Sequence, residues 1–71
     1  MKEYEINIGS PIEYEELVAY IRIYDKPIAL VQMEEGKDRM KVEFFEESLN
    51  EKVDLTIFIE ALQEAKRELE K

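Results

Sequence analysis

Leu17-Val18-Ala19-Tyr20-Ile21-Arg22-Ile23-Tyr24, then Asp25-Lys26, then Pro27-Ile28-Ala29-Leu30-Val31-Gln32-Met33 is the stretch whose reading decides the fold. β-Branched and aromatic residues dominate both arms and a polar pair separates them, which predicts a two-residue hairpin turning at Asp25-Lys26. In that pairing Ile23 opposes Ile28, Ile21 opposes Leu30 and Ala19 opposes Gln32. Tyr20 opposes Val31 and Val18 opposes Met33 on the other side. Toward the C-terminus, Glu35-Gly36-Lys37 supplies a three-residue connection with Gly36 at positive φ. Arg39 to Phe45 then continues as a strand, with Val42 opposite Leu30 and Phe44 opposite Ile28. One face becomes Ala19, Ile21, Ile23, Ile28, Leu30, Met40, Val42 and Phe44, an apolar surface that needs a cover. The other collects Val18, Tyr20, Arg22, Tyr24, Ala29, Val31, Met33, Arg39, Lys41 and Glu43. A one-residue slip at either turn would mix the two sets.

Upstream, Lys2 to Ile8 alternates, with Tyr4, Ile6 and Ile8 on one side and Glu3, Glu5 and Asn7 on the other, so it reads as a strand that Gly9-Ser10-Pro11 ends. Ser10-Pro11-Ile12-Glu13 carries a helix-start pattern, which predicts one helical turn over about residues 11–16. Downstream, the polar run Glu46 to Lys52 is a surface loop and Asp54 is placed to cap a helix. Leu55, Phe58, Ile59, Leu62, Ala65 and Leu69 recur at three- and four-residue spacing and form its apolar stripe. The predicted architecture is α+β, a four-stranded, mostly antiparallel sheet packed on one C-terminal α-helix. It forms a single domain over residues 1–71.

At 71 residues, with no cysteine, the chain is close to the size at which one core only just suffices, and no disulfide or thiolate metal site adds to it. No run approaches the roughly 18 apolar residues of a membrane span, and polar alternation follows Met1-Lys2-Glu3 where a signal peptide would be apolar. A cytoplasmic location is therefore expected. Asp and Glu number 18 against 10 Lys and Arg, for a net charge of -8, so the average field repels nucleic acid and anionic membrane.

Histidine is absent, which removes the commonest general base and metal ligand. Ser10, Ser48 and Thr56 read as cap, loop and first-turn residues. The acidic clusters Glu13, Glu15 and Glu16, Glu34, Glu35 and Asp38, and Glu46 and Glu47 match no calcium-loop spacing. Gly9 and Gly36 stand alone, without a phosphate-cradling run. Catalysis, a cofactor and a metal are not expected.

The second sheet face is the main functional candidate. Val18, Tyr20, Tyr24, Val31 and Met33 are interleaved there with Arg22, Arg39 and Lys41, a mixture enriched at protein interfaces. Either another part of this chain covers it (the N-terminal strand, the 11–16 turn or the Glu46 to Lys52 loop), or a second copy does, or a different protein. The ribonucleoprotein aromatic motifs are missing, and the acidic surround opposes RNA. Glu60, Glu64 and Glu68 on the outer helix face would suit a basic protein partner.

Glu16 to Ile21, Lys26 to Gln32 and Glu35 to Asp38, with Val53-Asp54-Leu55, Phe58 to Leu62 and Ala65-Lys66, resemble a group of small uncharacterised bacterial proteins with a three-stranded meander and a C-terminal helix. Those proteins tend to carry Asn-Gly or Asp-Gly at the first hairpin, where this chain has Asp25-Lys26. Size, acidity and the single-helix sheet are also similar in a general way to toxin-immunity and antitoxin proteins. That likeness implies a non-enzymatic, acidic protein-binding module, an immunity-type or inhibitory partner of another protein. The alternative is a self-associating, homodimeric structural module.

Overall fold

The computed structural model describes residues 3–71. β1 (Tyr4–Gly9), β2 (Val18–Ile23), β3 (Lys26–Gln32) and β4 (Lys41–Phe44) form one antiparallel sheet in chain order, and α1 (Leu55–Glu70) packs across it. Lys2, expected at the start of the first strand, lies outside the described residues. The α+β architecture, with one helix on a four-stranded sheet, is the predicted one.

The register differs from the predicted one. The first hairpin turns at Tyr24-Asp25, both at positive φ (50 and 67), and pairs Ile23 with Lys26. Arg22 pairs with Pro27, but Ile21 pairs with Ala29, so Ile28 is an extra residue on β3. Such a bulge is a place where a sheet tolerates the missing N–H of proline next door. The turn's displacement alone would have kept the predicted faces. The bulge reverses them, so that Ala29, Val31 and Met33 join Ala19, Ile21 and Ile23 beneath the helix while Leu30 turns outward.

The second connection is also longer than predicted. Gly36 does adopt positive φ (107), but a 3₁₀ turn at Lys37–Arg39 follows, and β4 starts only at Lys41. Ala29 pairs with Phe44 and Val31 with Val42, a second one-residue offset that cancels the first. Val42 and Phe44 therefore keep their predicted face, Ile28 stays in the core, and only β3 beyond Ile28 is turned over.

Residues 11–16 form no helix. Tyr14 N–H donates to Pro11 O in a single turn, whereas the N–H groups of Glu15 and Glu16 donate to the Glu34 carboxylate at 2.9 and 2.8 Å. Those donors would otherwise be drawn into a helical turn. Asp54 does sit at the helix N-cap, but its side chain makes no capping bond, and its carboxylate instead accepts from the Tyr24 hydroxyl at 3.4 Å.

The core lies between the sheet and the buried stripe Ala61, Ala65 and Leu69 of α1. Alanine at two successive turns lets the helix backbone approach the sheet closely, and Ile21 and Ala19 fill the contact without exposure. Ser48, buried after β4, donates its hydroxyl to Ile28 O at 2.7 Å, and Phe45 N–H donates to the same carbonyl. The bulge carbonyl is thus satisfied from outside the β2–β3 ladder.

Two left-handed non-glycine residues in one hairpin turn carry a conformational cost. Asp25→Gly is expected to raise stability by up to about 1 kcal/mol, because the two-residue turn with positive φ at both positions favours glycine. Urea unfolding checks it, and a loss of stability would mean that the Asp25 side chain is needed at the turn.

Candidate interaction surface

The sequence-predicted partner face is divided by the reversal of β3. Tyr20 now opposes Leu30, and Leu30 opposes Glu43, across the face away from the helix. Val18 is on that face and completely buried, while Val31 and Met33 are in the core on the other side. Arg22 remains on the outer face, 3.9 Å from the Glu5 carboxylate, and donates to Asp25 O at 2.7 Å. Tyr24 is at the exposed hairpin tip, Arg39 is in the 3₁₀ turn, and Lys41 begins β4, ion-paired to Glu35.

Part of the outer face is covered by the chain itself. Pro11 and Tyr14 line a hollow with Tyr20, Leu30 and Phe45, and the Tyr14 hydroxyl donates to Glu43 at 2.8 Å. Tyr20 stacks on Phe45 with ring centroids 6.5 Å apart and planes 19° from parallel. Gly9 lies so close beneath the Tyr20 ring that a Cβ there would come within 2.7 Å of it. Gly9→Ala must therefore displace a stacked ring and is expected to cost about 1–3 kcal/mol. An unchanged urea midpoint would mean that the ring moves aside freely.

The acidic residues of α1 also have local partners. Glu64 accepts the Tyr4 hydroxyl at 2.9 Å and Glu68 pairs with Lys71 at 2.9 Å, while Glu60 is exposed. The pKa values of Tyr4, Tyr14 and Tyr24 are raised above the ordinary 10.0. For Tyr4 and Tyr14 the leading cause is the hydrogen bond to Glu64 and to Glu43 respectively. For Tyr24 it is loss of solvation, followed by the negative charge of Asp54. A pKa raised on folding contributes stability that is complete below the unfolded value and lost as pH rises through the folded one. Melting temperature should therefore fall above about pH 10, and by less in Tyr4→Phe than in the wild type. Equal slopes in the two proteins would contradict the Tyr4–Glu64 contribution.

Sequence periodicity did not single out the side of the molecule between β4 and α1. The predicted helix stripe contained Leu55 and Ile59, yet these are 72% and 43% exposed, because burial is centred on Ala61, Ala65 and Leu69 instead. Leu55, Ile59 and Leu62 follow one another at four- and three-residue spacing, so they form a second stripe along one flank of the helix. Phe58 turns toward β4, its ring 5.9 Å from that of Phe44. On the strand, Val42 and Phe44 point to the helix side but are 38% and 54% exposed, since α1 lies over β1 to β3 and stops short of the edge. The result is an apolar strip bounded by an open strand, with the exposed charges of Lys41 and Glu43 on the other side of β4. The available signal was that the helix has more apolar positions than one narrow stripe can bury.

Among the described residues no group of three acidic side chains is placed to hold a metal. Among the same described residues no helix is long and apolar enough to cross a membrane. Comparison with protein-family models, with curated proteins and with solved structures returned no match.

Proposed function

We propose that this chain is a protein-binding module that acts by contact rather than catalysis, with the strip between β4 and α1 as its working surface. The observation that carries this reading is the coincidence of exposed Val42, Phe44, Leu55 and Ile59 with the open edge of β4. Apolar side chains clustered at one place mark a surface that is covered in use, and an unpaired strand supplies directional backbone bonds to whatever covers it. An inhibitory, immunity-type role is one form of such binding. Glu60 lies about 100° around the helix from Ile59, toward β1, where its charge acts on Tyr4, so a basic partner of the acidic helix face would meet the chain beside this strip rather than on it.

The test is the double variant Leu55→Lys with Ile59→Lys. Both residues are substantially exposed, so circular dichroism and the urea midpoint should change little. Protein association should be lost, whether read as solution mass or as proteins retained from a cell extract by the immobilised chain. Unchanged mass and unchanged retention would overturn the assignment of the surface.

A further inference from the structure

We infer that the occupant of this surface is a second copy of the chain, with β4 paired antiparallel to its own counterpart about a two-fold axis at Val42. The inference rests on the binding-surface reading above and names its partner. Phe45 N–H donates to Ile28 O, so the 28/45 pair is hydrogen-bonded. Bonded and non-bonded pairs alternate along an antiparallel ladder, which makes 30/43 and 32/41 bonded pairs too. Val42 and Phe44 therefore turn their N–H and C=O groups outward, where a further strand would sit.

A two-fold self-pairing must keep Val42 and Phe44 on the helix side of both copies, and this leaves two short registers. Centring on Glu43 places Glu43 directly opposite Glu43 of the other copy, a like-charge pair. Centring on Val42 places Lys41 opposite Glu43 twice, with Val42 opposite Val42 and Met40 opposite Phe44 on the apolar side. The second register is complementary in charge on one face and apolar on the other, as cross-strand pairing requires. It also continues the exposed strip across the seam. β1, the other edge of the sheet, lacks this complementarity: Tyr4 and Ile6 are packed against the core, and Glu3 and Glu5 carry the same sign.

Sedimentation equilibrium tests the pairing with Lys41→Glu and Glu43→Lys, each checked for folding by circular dichroism. The wild type should dimerise, and each single reversal, which sets like charges opposite at both symmetric sites, should weaken the dimer by about tenfold or more. An equimolar mixture of the two variants should recover dimer, because in the mixed pair position 41 of each chain faces a position 43 of opposite charge. A wild type that stays monomeric at about millimolar concentration, or a dimer that neither reversal weakens, overturns the inference. If the monomeric result is accompanied by loss of protein retention in the Leu55→Lys, Ile59→Lys variant, the binding surface stands with another protein as its occupant. If that variant also behaves as wild type, both readings fall.

Discussion

Ile21→Ala is expected to lower stability by about 2–5 kcal/mol, enough to leave a domain of this size largely or wholly unfolded. Ile21 has no solvent exposure and lies at the centre of the sheet, paired with Ile6 on β1 and Ala29 on β3. It packs in the cluster that includes the two helix alanines, Ala61 and Ala65. Both pairing partners are fixed by strand ladders, so little can collapse into the space left by the three missing carbons. Urea denaturation followed by far-ultraviolet circular dichroism reads the loss, and a cost below about 1 kcal/mol would mean that the helix does not seat on this part of the sheet.

The second large effect tests which way β3 faces. Val31→Asp places a carboxylate in the core between Ala19 and Val42, under α1 and without a hydrogen-bonding partner. Burial of an unpaired charge costs several kcal/mol, so the variant is expected to be unfolded at neutral pH. Had β3 kept its predicted face, Val31 would lie beside Tyr20 and the same change would alter association while leaving the fold intact. A folded Val31→Asp protein, shown by wild-type circular dichroism and a cooperative melt, would contradict the observed register.

The main elements were readable because their signals are local. Alternation in Tyr4 to Ile8, the β-rich arms around Asp25 and the helical spacing after Asp54 each identify an element without knowledge of its neighbours. Gly36 likewise declares its positive φ. The facing of β3 was not readable by the same means, because Ile28, Ala29, Leu30 and Val31 are all apolar and either face of that run suits a core. The choice depends on one bulge beside Pro27, and a bulge leaves no change in composition. The Ser10-Pro11 signal led to a helical turn because Glu34, distant in sequence, takes the amide protons of Glu15 and Glu16.

The candidate site followed from the same limits. Tyr20, Arg22 and Lys41 were correctly placed on one face, but Val31 and Met33 belong to the core and Phe45 and Tyr14 shield part of what remains. The exposed strip appears only when the width of the sheet is set against the reach of one helix. Four strands present more apolar surface than α1 covers, and the excess falls at β4. The 3₁₀ turn at Glu46–Ser48, which follows β4, returns the chain to β3 at Ile28 and so leaves that edge open.

The most direct measurement of the central claim is an isotope-filtered nuclear Overhauser experiment on a mixture of ¹³C-labelled and unlabelled chains. Pairing across β4 predicts intermolecular contacts from the Met40 methyl to the Phe44 ring and between Val42 methyls. Intermolecular contacts confined to Tyr20 and its neighbours, or none between the chains, would contradict it.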